Sequence, residues 1–443
     1  MTKITDFIRQ TSKDSRQKQI IHSFMNSYRD LIEKDPAAWR GKFRKMARSP
    51  FSFYRGSAAL FYADVAHDED LFLNEQTSRV WIQGDLHALN FGTYMNGAGI
   101  LVFAVNDFDE AYVGPFTWDI KRLAASLALI GYEKALSDIE IREILGQVAR
   151  GYAEQISRFA AGKDVDLTLT LENTEGPVHQ VLVEARLLTR IDLLNVETEI
   201  VNGDRQFKNN KQISRIVDAE TRTKLETALK NYYETVPVKG RHSPLSYHVK
   251  DIAQRKGLGV GSAGLPVYSI LLEGETQALE NDIILSVKEA QKAAPSCYID
   301  DENISSYFLH DGQRTMISQR ALQSHSDPWL GYTLLEGKGM FVAEVSPYTS
   351  DLDWDEINDL DDLLQVAELL GRSVAKIHCC SDDDSDHTLV PYSIEQAINQ
   401  VLDGREADFV ASIVDFGEHY GAIVRHDHSL FVDAFRNRLF SGI

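Results

Sequence analysis

The sequence predicts an α+β protein of two lobes, a large helix-rich one and a smaller β-rich one. Three observations carry this. Apolar residues recur at helical spacing over 14–33 and 137–160. Short β-branched and aromatic runs stand at 79–82, 100–105, 267–272 and 283–288. Beyond residue 250 the composition changes, with glycines gathered just ahead of closely spaced strands. The expected organisation is 1–249 and 351–443 as parts of the large lobe and 250–350 as the small lobe, with Pro237 to Pro244 as a boundary.

In chain order, Ile20, Ile21, Phe24, Met25, Tyr28, Leu31 and Ile32 form one face of a first long helix, broken at Pro36. Arg55 follows in Phe53-Tyr54-Arg55-Gly56, and reads either as a surface cation paired with a carboxylate or as an anion contact. Arg79-Val80-Trp81-Ile82 then reads as a strand running into the loop Gln83-Gly84-Asp85-Leu86-His87-Ala88-Leu89-Asn90. The buried run 100–105 ends at Asn106-Asp107-Phe108-Asp109. An aspartate, an asparagine five positions on (85 to 90) and further aspartates at a strand end have the spacing used in phosphoryl transfer to a hydroxyl. Asp119 falls in the first turn of a helix begun by Gly114-Pro115, where a carboxylate suits the helix dipole.

Helical stretches such as 181–194 alternate with a polar loop at Asn202-Gly203-Asp204-Arg205. Gly257, Gly259, Gly261, Ser262 and Gly264 make a glycine-rich loop in which the last three glycines satisfy G-x-G-x-x-G. A dinucleotide fingerprint requires a helix immediately afterwards. Here two strands follow instead, the second ending on Lys288, which is the arrangement of a hairpin covering phosphates. One helix is expected over 302–323, with Glu302 as the carboxylate that orients Lys288, or Glu289 or a glutamine in its place.

The chain has 443 residues, 43% hydrophobic and 25% charged, which suits globular lobes with their own cores. A net charge of −20 excludes a nucleic-acid surface, which needs a basic face. The same charge would draw a cationic or neutral small molecule as acceptor. Cys297, Cys379 and Cys380 are three and form no CxxC pair, so neither a disulfide framework nor a zinc site is indicated. The N-terminus lacks the apolar stretch of a signal peptide and no run is long enough for a membrane span, so a cytoplasmic protein is expected.

Gly84-Asp85-Leu86-His87-x-x-Asn90, Asn106-Asp107-Phe108-Asp109 and Trp118-Asp119-Ile120-Lys121-Arg122-Leu123-Ala124 resemble the catalytic loop, metal-binding segment and bracing helix of the protein-kinase-like superfamily. The chain looks like an uncharacterised bacterial family of that superfamily, akin to aminoglycoside phosphotransferases. The resemblance implies a two-lobed kinase-like fold. The glycine loop comes after the catalytic loop, and Ala367 to His378 resembles a helix that precedes the catalytic loop in those enzymes. The implied fold is therefore circularly permuted. It implies ATP under 257–264 with Lys288 on its phosphates, Mg²⁺ held by Asn90, Asp107 and Asp109, and Asp85 as catalytic base. His87 and Asp119 are expected to support the loop. The alternatives are a nucleotide-binding pseudokinase, a nucleotidyl transferase, and a metal-dependent phosphoesterase built on Asp85, His87, Asp107 and Asp109.

Overall fold

The computed structural model describes residues 4–216, 218–236, 244–255, 264–383, 385 and 388–443. Of the glycine-rich loop, Gly257, Gly259, Gly261 and Ser262 lie outside the described residues, as do residues 237–243 of the expected boundary.

The first helices are α1 (Ile4–Gln10), α2 (Lys13–Lys34), α3 (Pro36–Met46), α4 (Pro50–Arg55) and α5 (Ala58–Val65). Their breaks are written locally. Asp35 caps α3 ahead of Pro36, and Ser49 caps α4 ahead of Pro50, each proline sitting where a helix has no backbone donor to lose. Short strands β1 (Val80–Ile82), β2 (Phe91–Met95), β3 (Leu101–Val105) and β4 (Tyr112–Gly114) follow, paired β1 with β4 and β2 with β3. Then come α6 (Phe116–Glu133) and α7 (Asp138–Ala160), the latter begun by a Ser137/Glu140 capping box.

α8 (Gly176–Leu187) and α9 (Arg190–Glu197) lead into β5 (Thr198–Val201), β6 (Asp204–Phe207), β7 (Ile213–Arg215) and α10 (Ala219–Tyr233). The segment 202–205, expected as a polar loop, is the turn and start of the β5–β6 hairpin. Asn202 and Gly203 both take positive φ, 53° and 88°, as a two-residue hairpin turn requires.

β8 (Val249–Arg255), β9 (Val267–Leu272), β10 (Ile283–Glu289), α11 (Glu302–Ser305), α12 (Asp311–Leu322), β11 (Gly331–Leu335) and β12 (Lys338–Glu344) come next. One antiparallel sheet runs β11-β12-β10-β9-β8-β7, so it draws Ile213–Arg215 in from before residue 250. Leu225, Leu229, Tyr232 and Met340 pack with Ile270, Leu272, Leu285 and Val287 on one face, while Leu194, Phe207, Leu271 and Ile284 cluster separately. Cover on both faces explains why 267–272 reads as a continuous apolar run. The single helix expected over 302–323 is two helices. Asp301 caps the first and the His310 side chain the second, with His310 fully extended between them.

α13 (Leu360–His378), α14 (Ile394–Leu402) and α15 (Glu406–Arg436) complete the chain. With α2 to α7 they enclose the largest apolar core, which includes an aromatic group of Phe24, Phe43, Phe53, Phe431 and Phe440. α6 is apolar nearly all round and buried over Phe116–Gly131, so it forms the axis of that core and fixes its own polar side chains in place. Among the described residues no helix is long and apolar enough to cross a membrane.

Candidate active site

The loop after β1 is fixed by its neighbours. Both carboxylate oxygens of Asp119, buried on α6, accept backbone N–H groups: Gln83 N at 2.7 Å and Gly84 N at 3.0 Å. Asp119 is held in turn by His378 Nε2 at 3.3 Å, and His378 Nδ1 meets the Tyr152 hydroxyl at 2.9 Å. Tyr62 donates to the Gly84 carbonyl at 2.6 Å, and Ser126 Oγ accepts from Ala88 N at 3.0 Å. Gly84 has φ +83°, and a Cβ there would lie 2.0 Å from the Glu110 carbonyl oxygen. Glycine is required at this position for both reasons.

Asp85 projects from the loop beside Arg122. Its Oδ1 accepts from Arg122 Nε at 2.7 Å and also from Nη2. Oδ2 points the other way, 3.9 Å from His87 Nε2. Burial raises the Asp85 carboxyl to about 6 against the pull of Arg122, which leaves it ionised at neutral pH. Burial and the nearby Arg55 and Arg122 hold His87 well below the usual imidazole range, so its ring is neutral. Asn90 donates from Nδ2 to the Asp85 carbonyl at 3.0 Å, which leaves its Oδ1 for another partner.

Gln83 ties this loop to the next one. Its Oε1 accepts from Asp85 N at 2.8 Å, while Nε2 donates to the carbonyls of Asn106, at 3.2 Å, and Asp107. Asp107 lies past the end of β3 with φ 56°, a left-handed conformation that aspartate tolerates better than most residues. Burial and the adjacent Asp109 hold its carboxyl above the usual range, while Lys288 pulls it down. Glu110, half-buried beside them, is pushed up to about 7 by loss of hydration, although its carboxylate accepts the Ala294 N–H.

The sheet contributes Lys288 from β10. Its ammonium forms an ion pair with Asp109, 179 residues earlier. Burial would lower the Lys288 pKa, but Asp109 and Asp107 outweigh it and the net shift is upward. Arg314 on α12 locks the same junction, donating to the carbonyls of Ala111 at 2.6 Å, Asp109 at 2.7 Å and Gln291 at 2.8 Å. A cleft of about 370 Å³ opens between sheet and loops, with Asp107, Asp109, Lys288, Gln319, Phe341 and Tyr348 in its lining. That volume lies within the rough 300–1,000 Å³ range of small-molecule sites.

Asp85, His87, Asn90, Asp107, Asp109 and Lys288 therefore come together, and Asp119 lies beneath them. Glu302 does not join them: it is exposed on the four-residue α11, and the carboxylate paired with Lys288 is that of Asp109. Glu289 is taken by Lys338 at 2.9 Å and Lys34 at 3.7 Å. Gly264 has φ +78° and stands against Asp35, Ala38 and Trp39 of the α3 N-terminus. Arg55 is half-buried near Asp85 and His87, and its Nε has no hydrogen-bond partner among the described residues.

Sequence reading assigned no role to Gln83, Glu110, Arg122 or His378, and took Arg314 for a structural partner of carboxylates; it also binds three backbone carbonyls. Arg122 had a local signal, since it follows Asp119 by one helical turn and so shares the face turned to the loop. The others act through tertiary contacts that leave no local mark.

Among the described residues no three histidine, cysteine or acidic side chains gather as a ready metal cage. A family model described as an uncharacterised protein conserved in bacteria (DUF2252) matches residues 34–434. The chain belongs to this family. The matched span includes the loop at 83–90, the turn at 106–110 and Lys288. No curated protein and no solved structure matches the chain.

Proposed function

We propose that the chain is an ATP- and Mg²⁺-dependent phosphotransferase with a circularly permuted, two-lobed protein-kinase-like fold. It would transfer a γ-phosphoryl group to a hydroxyl of a small-molecule acceptor. The observation that carries this reading is the meeting of Lys288 with Asp109 beside Asp107 on one cleft, with the Asp85 loop tied through Gln83 to the Asn106 and Asp107 carbonyls behind it. In phosphoryl transfer a strand lysine on the phosphates, metal-binding carboxylates and a base aspartate must converge. Their order along the chain does not matter to that convergence, so segment rotation is compatible with it.

The donor set suits Mg²⁺, which takes oxygen ligands from one or two carboxylates together with phosphates and water. Asn90 Oδ1, Asp107 and Asp109 would hold it, and it would supply neutralisation of charge on the phosphates. Lys288 would exchange Asp109 for the α and β phosphates. Asp85 accepts the proton of the acceptor hydroxyl through the Oδ2 that Arg122 leaves free. The acceptor oxygen bonds to the γ phosphorus, the bond from phosphorus to the bridging oxygen breaks, and ADP leaves with the electron pair. Asp119, His378 and Tyr152 keep the loop backbone rigid, which is how positioning lowers a barrier of this kind.

A second reading keeps the nucleotide site without transfer to an acceptor, or moves the nucleotidyl group. It is favoured by Asp109 standing where a helix glutamate would pair with the strand lysine. The phosphoesterase reading would need a fuller set of metal ligands, and among the described residues no three histidine, cysteine or acidic side chains gather as a metal cage. ATP labelled at the α or the γ position, mixed with Mg²⁺ and a panel of metabolites, separates these readings. Transfer of γ label is expected. Asp85→Asn should reduce it by roughly 10²–10⁴-fold, and Lys288→Ala should lower it strongly. Transfer of α label, or binding without transfer, would move the assignment to the second reading.

A further inference from the structure

An unusual set of side chains lies within electrostatic reach of Asp85. Lys42 on α3 is only 6% exposed, with its ammonium 4.4 Å from the Trp39 ring centroid and 4.9 Å from that of Tyr28. A lysine is almost never buried this far without a partner. Glu110 and Asp85 act on it through space, but neither forms an ion pair with it. Among the buried nitrogens without a partner in the described residues are Trp39 Nε1, Arg55 Nε and Arg122 Nη1. The fields of Asp85 and Arg122 both reach the Tyr28 hydroxyl, and the charge of Arg55 reaches Asp85 and His87.

Each of these orphan nitrogens is a hydrogen-bond donor. Buried donors persist only where something supplies acceptors, and two cations among them call for negative charge. The nearby carboxylates are each partly engaged, and none forms an ion pair with Lys42. Arg122 holds Asp85 Oδ1, and Glu110 accepts from Ala294 N. The net charge of −20 pointed to a cationic or neutral acceptor, but that argument concerns long-range steering. Within a desolvated site the local donors decide.

We propose that the acceptor is a small hydroxylated anion, its oxyanion seated on Lys42 with Tyr28 and Trp39 and flanked by Arg55, its hydroxyl at Asp85. This rests on the phosphotransferase reading for the role of Asp85 but not for the anion site itself. The shared chemistry is an oxyanion, either a carboxylate or a phosphate ester.

Calorimetric titration of the full chain without nucleotide, at constant ionic strength, tests it with D-glycerate, sn-glycerol 3-phosphate, glycerol and ethanolamine. At least one anion should bind, and tenfold or more weakly to Lys42→Met and to Arg55→Met variants whose circular dichroism is unchanged. Binding of glycerate alone assigns a carboxylate, and of glycerol 3-phosphate alone a phosphate. The proposal is overturned if neither anion binds at millimolar concentration. It fails equally if glycerol or ethanolamine binds as well as both anions, or if Lys42→Met binds them like the wild type. Transfer of γ label from ATP, measured separately, keeps the two claims apart. Label transfer dependent on Asp85 with no anion binding sinks the acceptor assignment alone. Anion binding that needs Lys42, without any transfer, sinks the phosphotransferase and leaves the anion site.

Discussion

Lys42 sets stability against the proposed chemistry. Burial lowers its ammonium from the ordinary 10.5 to about 8, even though Glu110 and Asp85 raise it. Between those two values the unfolded chain keeps a proton that the native state has lost, so stability rises with pH across that window. Below about pH 8 the native protein carries the whole burden of a buried, unpaired charge, on the order of 3 kcal/mol. Lys42→Met keeps most of the stem that packs on Tyr28 and Trp39 and removes the charge. We expect the variant to be more stable than the wild type at pH 7.5, by about 2–3 kcal/mol, with the gain shrinking towards pH 10. Urea unfolding of both proteins at pH 7.5 and 9.5 measures this, and the difference between them isolates Lys42 from the tyrosines that also titrate. Equal stability at both pH values would mean that the ammonium is already satisfied in the free protein.

The same conflict between packing and position recurs where α13 crosses α7. The crossing is close because glycines face it from both helices. A Cβ on Gly371 would lie 2.2 Å from the Val148 carbonyl oxygen, and one on Gly151 2.6 Å from that of Glu368. The crossing also sets His378, in the last turn of α13, against Asp119 and hence against the Gln83–Gly84 backbone. Gly371→Val should therefore destabilise by ~1–3 kcal/mol through overpacking and, on the proposed function, lower phosphoryl transfer further by moving His378. Gly41 on α3, with no atom near its would-be Cβ, is the control, and Gly41→Ala should stabilise by roughly 0.5–1 kcal/mol. Thermal unfolding of both variants checks the pair.

These elements also show how far the chain can be read from sequence. Residues 83–90 and 106–109 were legible because loop chemistry is local, a few polar residues at fixed offsets past a strand. Of α13, the stretch 367–378 was legible as a helix only through its resemblance to one in the phosphotransferases, and its first turns were not. The break between α11 and α12 was marked by Asp301, but His310 is an uncommon cap and the apolar spacing continued across it. The β5–β6 turn carried an Asn-Gly signal that the surrounding polar residues masked. Lys42 and Glu110 were silent because their meaning lies in what packs over them.

At the scale of the whole molecule, the first and last long helices are joined by one buried cation. Arg16 of α2 donates to Asp64 of α5 at 2.8 and 2.7 Å, and to Asp427 of α15 at 3.1 Å from Nε and 2.6 Å from Nη2. Tyr420 adds its hydroxyl to Asp64 at 2.7 Å. α15 also packs along α6, so this junction holds the helices around the axis that carries Asp119 and Arg122. Burial keeps the Asp427 carboxyl above its usual range even with Arg16 beside it. Replacing Arg16 by leucine would leave two buried carboxylates facing each other, and loss of one partner of a buried pair costs roughly 3–5 kcal/mol. The unpaired acids would relieve this by taking up a proton, which raises the folded pKa of Asp427 further. A raised acid contributes stability below its unfolded pKa and loses it as pH rises through the folded value. The deficit of Arg16→Leu should therefore be largest at pH 7–8 and shrink as pH falls towards 5. Asp64→Asn and Asp427→Asn added to Arg16→Leu should recover much of it at neutral pH. Denaturant unfolding across this pH range reads both effects, and a deficit independent of pH would show that Arg16 acts through packing alone.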